Sequence, residues 1–343
     1  MELLKKIRLM TSNVGIYQHG RFNKPAPEFG YAIEDQARAL LVVNEFKDKK
    51  LKSIYLNFIL RAKREDGLLY HYYYDSNGKY RDGDKGLFSD KEIGNKEINP
   101  DPGHEEAYGL VLWALLTIKN GQSTQDNYVR KIVKNLIENA YKWTSSRAIS
   151  VALLGLLNLN IPDNLESKLK LKLHNLYFKN SEGNWKWFES CLVYANAVIP
   201  WALWEIYLKR KCKTSLKIAK ETTAFLIKEC QENNVPSPVG NRGWYFKGGV
   251  KALYDQQPID SAYMVCCLEK AYYATKNNFY KSWAEKWYRW FFGYNIKGIS
   301  LIDKNFACYD GLTPEGVNLN QGAESNICFL MAYLAAKRLG IIE

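Results

Sequence analysis

Six strongly apolar segments recur along this 343-residue chain, near 33–46, 105–118, 146–158, 190–207, 259–274 and 323–339. Amphipathic, lysine-bearing segments follow five of them, near 50–63, 126–142, 163–178, 214–230 and 278–291. In both sets the apolar residues recur at i, i+3 and i+4, the period of a helix. A helix that is apolar all round must be buried, whereas one with a single apolar stripe keeps a wet face. Regular alternation of the two kinds predicts inner and outer helices: an all-α (α/α)6 toroid, or six-hairpin barrel, as one domain over residues 1–343. The short stretch 2–10 is the natural partner for the sixth inner helix. The longest irregular part, 64–103, contains "YHYYYDSNGKYRDGDKG" and reads as a hairpin or long loop over one end of the fold.

The formal net charge is +12, but Lys and Arg are spread along the chain. The densest stretches, "KDKKLK" (47–52) and "LKRKCK" (208–213), fall at expected helix ends and read as solvated surface. No nucleic-acid motif accompanies the charge, and no window is long and apolar enough for a membrane span. The seven cysteines show no CxxC pair and no metal-ligand spacing with histidine, so reduced, buried thiols and a cytoplasmic location are expected.

The openings of the six apolar segments share a chemistry. They read "GYAIEDQARAL" (30–40), "DPGHEEAYGL" (101–110), "WTSSRAIS" (143–150), "WKWFESCLVYANAVIP" (185–200), "YDQQPIDSAYM" (254–264) and "NLNQGAES" (318–325). Five carry carboxylates in or just ahead of the first turn: Asp35, Glu106, Glu189, Asp255 with Asp260, and Glu324; the sixth brings Arg147. Acids favour helix N-termini as caps and as partners of the dipole. Capping does not require Trp185, Trp187, Trp244 and Tyr254, or the amides of Gln256, Gln257, Asn318, Asn320 and Gln321, as neighbours. In a toroid the inner helices run parallel, so these groups are expected to meet on one rim. Acids for proton transfer, amides and Arg for hydroxyls, and flat aromatic faces for sugar rings are the makings of a carbohydrate cleft.

The same motifs carry a family resemblance. "GYAIEDQARAL", "EEAYGLVLWAL", "WFESCLVYANAVIP", "DQQPIDSA" and "CYDGLTPEGVNLNQGAES", spread from about 15 to 339, resemble the helical toroid domains of six-hairpin glycosidase type. Those domains occur fused to or beside glycosyltransferases in bacteria and archaea. The resemblance implies a glycan-related role and a glycosyltransferase as a partner. The chain departs from the pattern at Glu34 (usually Asp), Gln36 (Asn), Leu110 (Arg) and Ala195 (Asp), and the last change deletes a carboxylate.

Glycoside hydrolysis needs one protonated carboxylic acid and a second carboxylate as base or nucleophile. Glu189, behind "WKWF", is the expected general acid, its pKa raised by aromatic surroundings. Asp255, ahead of two glutamines and Pro258, is the expected base or nucleophile, with Glu324 and Asp310 as alternatives that otherwise orient a water or a hydroxyl. Asp35, Arg38 and Glu106 are expected to bind substrate or to pair across the rim. Trp187, Trp244, Gln256, Gln257, Asn318, Asn320 and Gln321 are expected to bind sugar. Sugar epimerases on similar barrels rely on paired histidines; among His19, His71, His104 and His174 no convincing pair stands out. His71 and His174 read as surface or satisfied buried residues. No HExxH or other dense ligand set suggests a metal, "GNRGWYFKGG" lacks the GK[ST] ending of a phosphate loop, and no terpenoid-cyclase acidic motif is present. The sequence therefore predicts a carbohydrate-active protein without cofactor, a metal-independent glycoside hydrolase acting on an oligosaccharide or glycan. The alternative is a non-catalytic glycan-binding scaffold.

Overall fold

The computed structural model describes residues 2–74, 79–81, 104–118, 124–159 and 164–343. Most of the irregular stretch 64–103 lies outside them. Its described part holds the antiparallel strands Tyr72–Tyr74 and Lys79–Arg81, with Tyr72–Tyr74 also pairing with Tyr31–Ala32.

The alternation read from the sequence is present. The apolar helices are α2 (Ile33–Glu45), α4 (Glu105–Thr117), α6 (Ser146–Leu156), α8 (Val198–Arg210), α10 (Pro258–Thr275) and α12 (Ala323–Arg338). Between and behind them run α3 (Lys49–Arg61), α5 (Thr124–Ala140), α7 (Asn164–Asn180), α9 (Lys213–Glu229) and α11 (Asn278–Trp290), and the short α1 (Lys5–Met10) opens the chain. Local signals start and stop them. Asp48, Ser145 and Asn277 accept N-terminal amide bonds as side-chain caps. Pro258 opens α10, and Lys211 and Lys276 end α8 and α10 in the left-handed conformation.

Burial follows the two hydrophobic patterns. Every residue of α6 is buried, whereas α11 buries one stripe made of Trp283, Ala284, Trp287, Tyr288 and Trp290. Burying a side chain of that size fully is worth about 1.5–3 kcal/mol.

The chain divides into two compact units: one of Met10–His19 and Pro25–Leu169, the other of Met1–Leu9, Gly20–Lys24 and Lys170–Glu343. In the first, α2 packs on α4 and α4 on α6. The α4–α6 contact is close because glycines face it from both sides. A Cβ on Gly109 would lie 2.8 Å from the Ala148 carbonyl oxygen, and one on Gly155 would lie 2.7 Å from the Trp113 Cα. In the second unit α8 packs on α10 and α10 on α12, with α9 against α8 and α11 against α10.

One boundary differs from expectation. Helix α8 starts at Val198, not near 190. Residues 191–192 form a short strand, and Asn196 closes the following turn by accepting from the Val193 amide (3.1 Å) and donating to the Val193 carbonyl (2.6 Å). "CLVYANAVIP" is continuously apolar, and such a run does not separate strand from helix. Glu189 therefore stands in an irregular segment well ahead of the helix rather than in its first turn. All seven cysteines are free thiols; five are buried, while Cys191 and Cys212 are half-buried. Among the described residues no helix is long and apolar enough to cross a membrane.

Candidate functional site

In the second unit, backbone pairing stitches the acid-bearing motifs into one sheet-like patch. Cys191 and Leu192, just after Glu189, pair with Phe246 and Tyr245, and the Lys247 amide donates to the Ser190 carbonyl at 2.8 Å. The loop carrying Trp244 then returns on itself, with the Gly240 amide on the Ala252 carbonyl (2.7 Å) and the Ala252 amide on the Trp244 carbonyl (2.9 Å). Gln256 exchanges two backbone bonds with Leu312, at 3.0 and 2.9 Å. The segments following Glu189, Asp255 and Asp310 are thus tied edge to edge.

Asp255 is the most exceptional carboxylate of this patch. Its Oδ2 accepts from Arg242 Nε at 2.9 Å, while its Oδ1 is buried and has no hydrogen-bond partner. In the loop that carries Arg242, half-buried Trp244 holds a left-handed backbone (φ 59°) and lies 6.3 Å from the Tyr194 ring, tilted by 48°. Gly240 lets this loop approach Asp255, since an added Cβ would fall 2.0 Å from the Tyr254 carbonyl oxygen. Backbone atoms cannot move aside as a side-chain tip can. Gly240→Ala is therefore expected to cost about 1–3 kcal/mol or more, measured as a fall in the urea midpoint with unchanged m-value.

The other predicted residues divide sharply. Glu189 is half-buried, and its carbonyl accepts from Trp185 Nε1 at 2.7 Å, so Trp185 fixes the main chain that presents it. Trp187 is fully buried, edge-on to Phe188 and stacked over Phe225 at 6.1 Å. It is a core side chain and not a stacking platform. Gln256 is also fully buried and its amide is spent. Nε2 donates to Ser237 Oγ (3.1 Å) and the Leu253 carbonyl (2.9 Å), and Oε1 accepts from Trp290 Nε1 (3.0 Å). It positions the turn and, with both N–H groups spent and no exposed surface, is out of reach of a sugar. Gln257 is half-buried at the N-cap of α10, with no capping bond from its side chain.

The stretch 310–325 is organised mainly by internal bonds. Asp310 Oδ1 accepts from the Gly322 amide (2.6 Å) and Ser325 Oγ (2.7 Å), so this acid holds the start of α12. Asn318 is exposed and turns its Oδ1 to the Asn320 amide, and Asn320 in turn accepts from the Phe22 amide at 2.9 Å. Gln321 is buried; it donates to Asp303 Oδ2 at 3.0 Å, while its Oε1 is buried without a hydrogen-bond partner. Burial works against the Asp303 carboxylate, yet bonds from Gln321, Ala307 and Asn305 hold its pKa below the usual range. Glu324 is half-buried in the first turn of α12, and Asp260 is buried in that of α10.

The first unit holds a separate charged cluster. Asp35, Arg38 and Glu106 are buried together, with Arg38 3.6 Å from Asp35 and 3.9 Å from Glu106. Next to them lies an arrangement that sequence reading missed. Glu34 Oε2 meets His71 Nε2 at 2.5 Å, and His71 Nδ1 meets His104 Nδ1 at 2.6 Å. The expectation that no convincing histidine pair stands out is thereby corrected, while His71 is, as one of its two expected readings had it, a largely buried residue bonded at both ring nitrogens. Burial opposes ionisation of Glu34, but the charge and hydrogen bond of His71, with Arg38 beside them, bring its pKa down to about 2. His174 keeps its structural role: it is buried and bonded to Ser215 at 2.9 Å, with burial lowering its pKa to about 4. Arg242, Tyr194, Glu34 and His71 are the residues of interest that the sequence did not single out for chemistry. Only Glu34 left a trace, as a departure from the family pattern. Among the described residues no group of three or more His, Cys, Asp or Glu side chains is arranged to hold a metal ion.

The two departures that remove polar groups lie in the core. Leu110 and Ala195 are fully buried, and Ala195 adopts a left-handed backbone with φ 51°.

Comparison with known proteins places this geometry in a fold. No protein-family model and no curated protein matches the chain. Among solved structures, a D-mannose isomerase is similar over 98% of this chain and 96% of its own, at 12% identity and a TM-score of 0.69. The cellobiose 2-epimerase of Bacillus thermoamylovorans is similar over 99% and 98%, at 12% identity and a TM-score of 0.68. The GH76A α-1,6-mannanase of a Salegentibacter species is similar over 98% and 97%, at 13% identity and a TM-score of 0.59. The fold is that of the (α/α)6 toroid, glycosidase-like enzymes.

Proposed function

We propose that the chain is a carbohydrate-active enzyme, and specifically a metal-independent glycoside hydrolase with Asp255 as base or nucleophile and Glu189 as general acid. The observation that carries this reading is the state of Asp255, with one oxygen on Arg242 and the other buried without a hydrogen-bond partner. A buried acceptor lacking its bond costs about 1–3 kcal/mol. Such a cost is tolerated where a ligand supplies the bond, and a sugar hydroxyl or attacking water is the donor of the right kind. The contact with Arg242 Nε holds the side chain in place. Trp244, in the loop that carries Arg242, and Tyr194 offer half-buried rings, and Gln257 and Asn318 keep amides within reach of solvent. The α-1,6-mannanase among the structural neighbours supports an oligosaccharide as substrate.

A second reading, a sugar isomerase or epimerase, is favoured by one observation: the Glu34–His71–His104 chain of short contacts. The isomerase and the epimerase among the neighbours support it. A single experiment separates the readings. The protein is incubated with manno-, gluco- and galacto-oligosaccharides and the products are followed by proton NMR. New reducing ends are the expected result for the hydrolase, whereas a changed sugar at an intact chain end selects the second reading. Saturable binding with neither product overturns both and leaves a glycan-binding scaffold.

A further inference from the structure

Two phenylalanines of the second unit break two local rules at once. Phe22 and Phe306 hold left-handed backbones (φ 52° and 60°), a conformation that a bulky side chain rarely adopts. Both rings are also open to solvent, Phe22 at 64% and Phe306 at 45% of their surface. Core packing is therefore not what keeps a phenylalanine at either place, and glycine or asparagine would suit both turns better. Local conflicts of this kind concentrate where a residue is held for function. Trp244 of the candidate site has the same left-handed backbone.

The two turns are anchored to adjacent residues, Asn320 and Gln321. The Phe22 amide donates to Asn320 Oδ1 at 2.9 Å. Gly20 lies so close to the next residue that an added Cβ would fall 2.7 Å from the Gln321 carbonyl oxygen. Buried Lys6 holds the same turn by donating to the Asn23 carbonyl at 2.9 Å. The turn bearing Phe306 is organised by Asp303, whose Oδ1 accepts from the Asn305 and Ala307 amides at 2.7 and 3.0 Å. Its Oδ2 accepts from Gln321 Nε2 at 3.0 Å. Asn318 and Asn320 spend their side-chain oxygens on the Asn320 and Phe22 amides, so each presents its NH2 group as the remaining donor. The same segment leads back to Asp255: residues 311–313 pair with 316–318, and Leu312 exchanges backbone bonds with Gln256. These pairings put Asn320 within about 20 Å of Gln256, inside the span of a short oligosaccharide.

We propose that Phe22 and Phe306, with the NH2 groups of Asn318 and Asn320, form a distal sugar-binding platform for the part of a glycan that extends beyond the bond held at Asp255. This inference deepens the hydrolase reading and rests on it. The rings stack on the apolar C–H faces of pyranoses, and the amides donate to hydroxyls at the ring edges. Open amide donors beside the rings suit a hydroxyl-rich chain rather than a second apolar surface. The substrate class is thereby an oligosaccharide of several sugars rather than a disaccharide. Gln321 is a positioning residue that acts through Asp303 on the Phe306 turn.

The test is calorimetric binding of non-hydrolysable, thio-linked manno-, gluco- and galacto-oligosaccharides, two and six sugars long. The native protein is expected to bind a hexasaccharide of this set more tightly than its disaccharide. Phe22→Gly/Phe306→Gly is expected to reduce that length preference by about 10-fold or more. Its urea midpoint is expected not to fall, since glycine relieves both left-handed backbones. A length preference kept in the double variant overturns the platform and leaves the hydrolase reading standing. A native protein that cleaves oligosaccharides yet binds both lengths equally does the same. A native protein that neither binds nor cleaves any of them overturns both. A midpoint that falls together with equal losses of affinity for both lengths marks the rings as structural and overturns the platform. Unchanged binding with a changed sedimentation coefficient also overturns it, and assigns the rings to contact with a second copy of the chain.

Discussion

Asp255→Asn is expected to lower oligosaccharide hydrolysis by ~10²-fold or more while leaving the fold intact. The substitution keeps the shape of the side chain but removes the charge that makes it a base or nucleophile. Its ion pair is with Arg242, whose side chain is 58% exposed. Pairs of that kind contribute about 0–1 kcal/mol, so the urea midpoint should hardly move. Activity and stability therefore separate cleanly at this position. Glu189→Gln is expected to match the loss for substrates with poor leaving groups and to be milder for activated aryl glycosides, which need no protonation. Activity kept within a few-fold in Asp255→Asn would remove this residue from the chemistry. Glu324 would then be the next acid to test, because Asp310 is committed to Gly322 and Ser325, and Glu106 lies beside Arg38.

The largest stability effect is expected far from that chemistry, at Arg338. Glu269 is fully buried on α10, and Arg338 on α12 grips both its oxygens, Nε at 2.5 Å and a terminal nitrogen at 3.0 Å. Arg338→Ala strands the buried carboxylate, a change that costs about 3–5 kcal/mol in comparable pairs. Lys270, 3.6 Å from Glu269 and 3.2 Å from Glu205, softens the loss without replacing the two-pronged contact. The check is denaturant unfolding of Arg338→Ala beside the double variant Glu269→Leu/Arg338→Met. The double variant should recover much of the deficit, because it leaves no charge uncompensated. Equal losses in both would show that helix packing, and not the buried charge, dominates.

The helical alternation was legible because burial on all sides and burial on one side leave different periodic patterns, and the patterns of α4 and α6 differ plainly from that of α11. The start of α8 was not, since an apolar strand and turn merge with an apolar helix in "CLVYANAVIP". At the candidate site, residue type was readable but its use was not. "DQQP" contains two adjacent glutamines, and only the fold decides that Gln256 is consumed by Ser237, Leu253 and Trp290 while Gln257 is not. Likewise the tryptophans of "WKWF" look like sugar platforms, yet Trp187 fills the core against Phe225. The histidine pair was invisible for another reason. His71 and His104 stand 33 positions apart, and no local period joins them. They meet because the chain before α2 pairs with the strand following His71 and because α4 packs on α2. Glu34, in the first turn of α2, adds a carboxylate to the pair through its contact with His71.

The most direct test of the account is the structure of the Asp255→Asn variant with a bound oligosaccharide. The account predicts a glycosidic bond at the patch around residue 255. Its anomeric carbon should lie about 3–3.5 Å from the substituted side chain at that position or from a water held by it, with the Glu189 carboxyl within hydrogen-bond reach of the leaving oxygen. The separation of the two side-chain groups then reads out retention, at about 5–5.5 Å, or inversion, at about 6.5–9.5 Å. A sugar seated instead against His104, with no glycosidic bond near residue 255, would contradict the hydrolase reading.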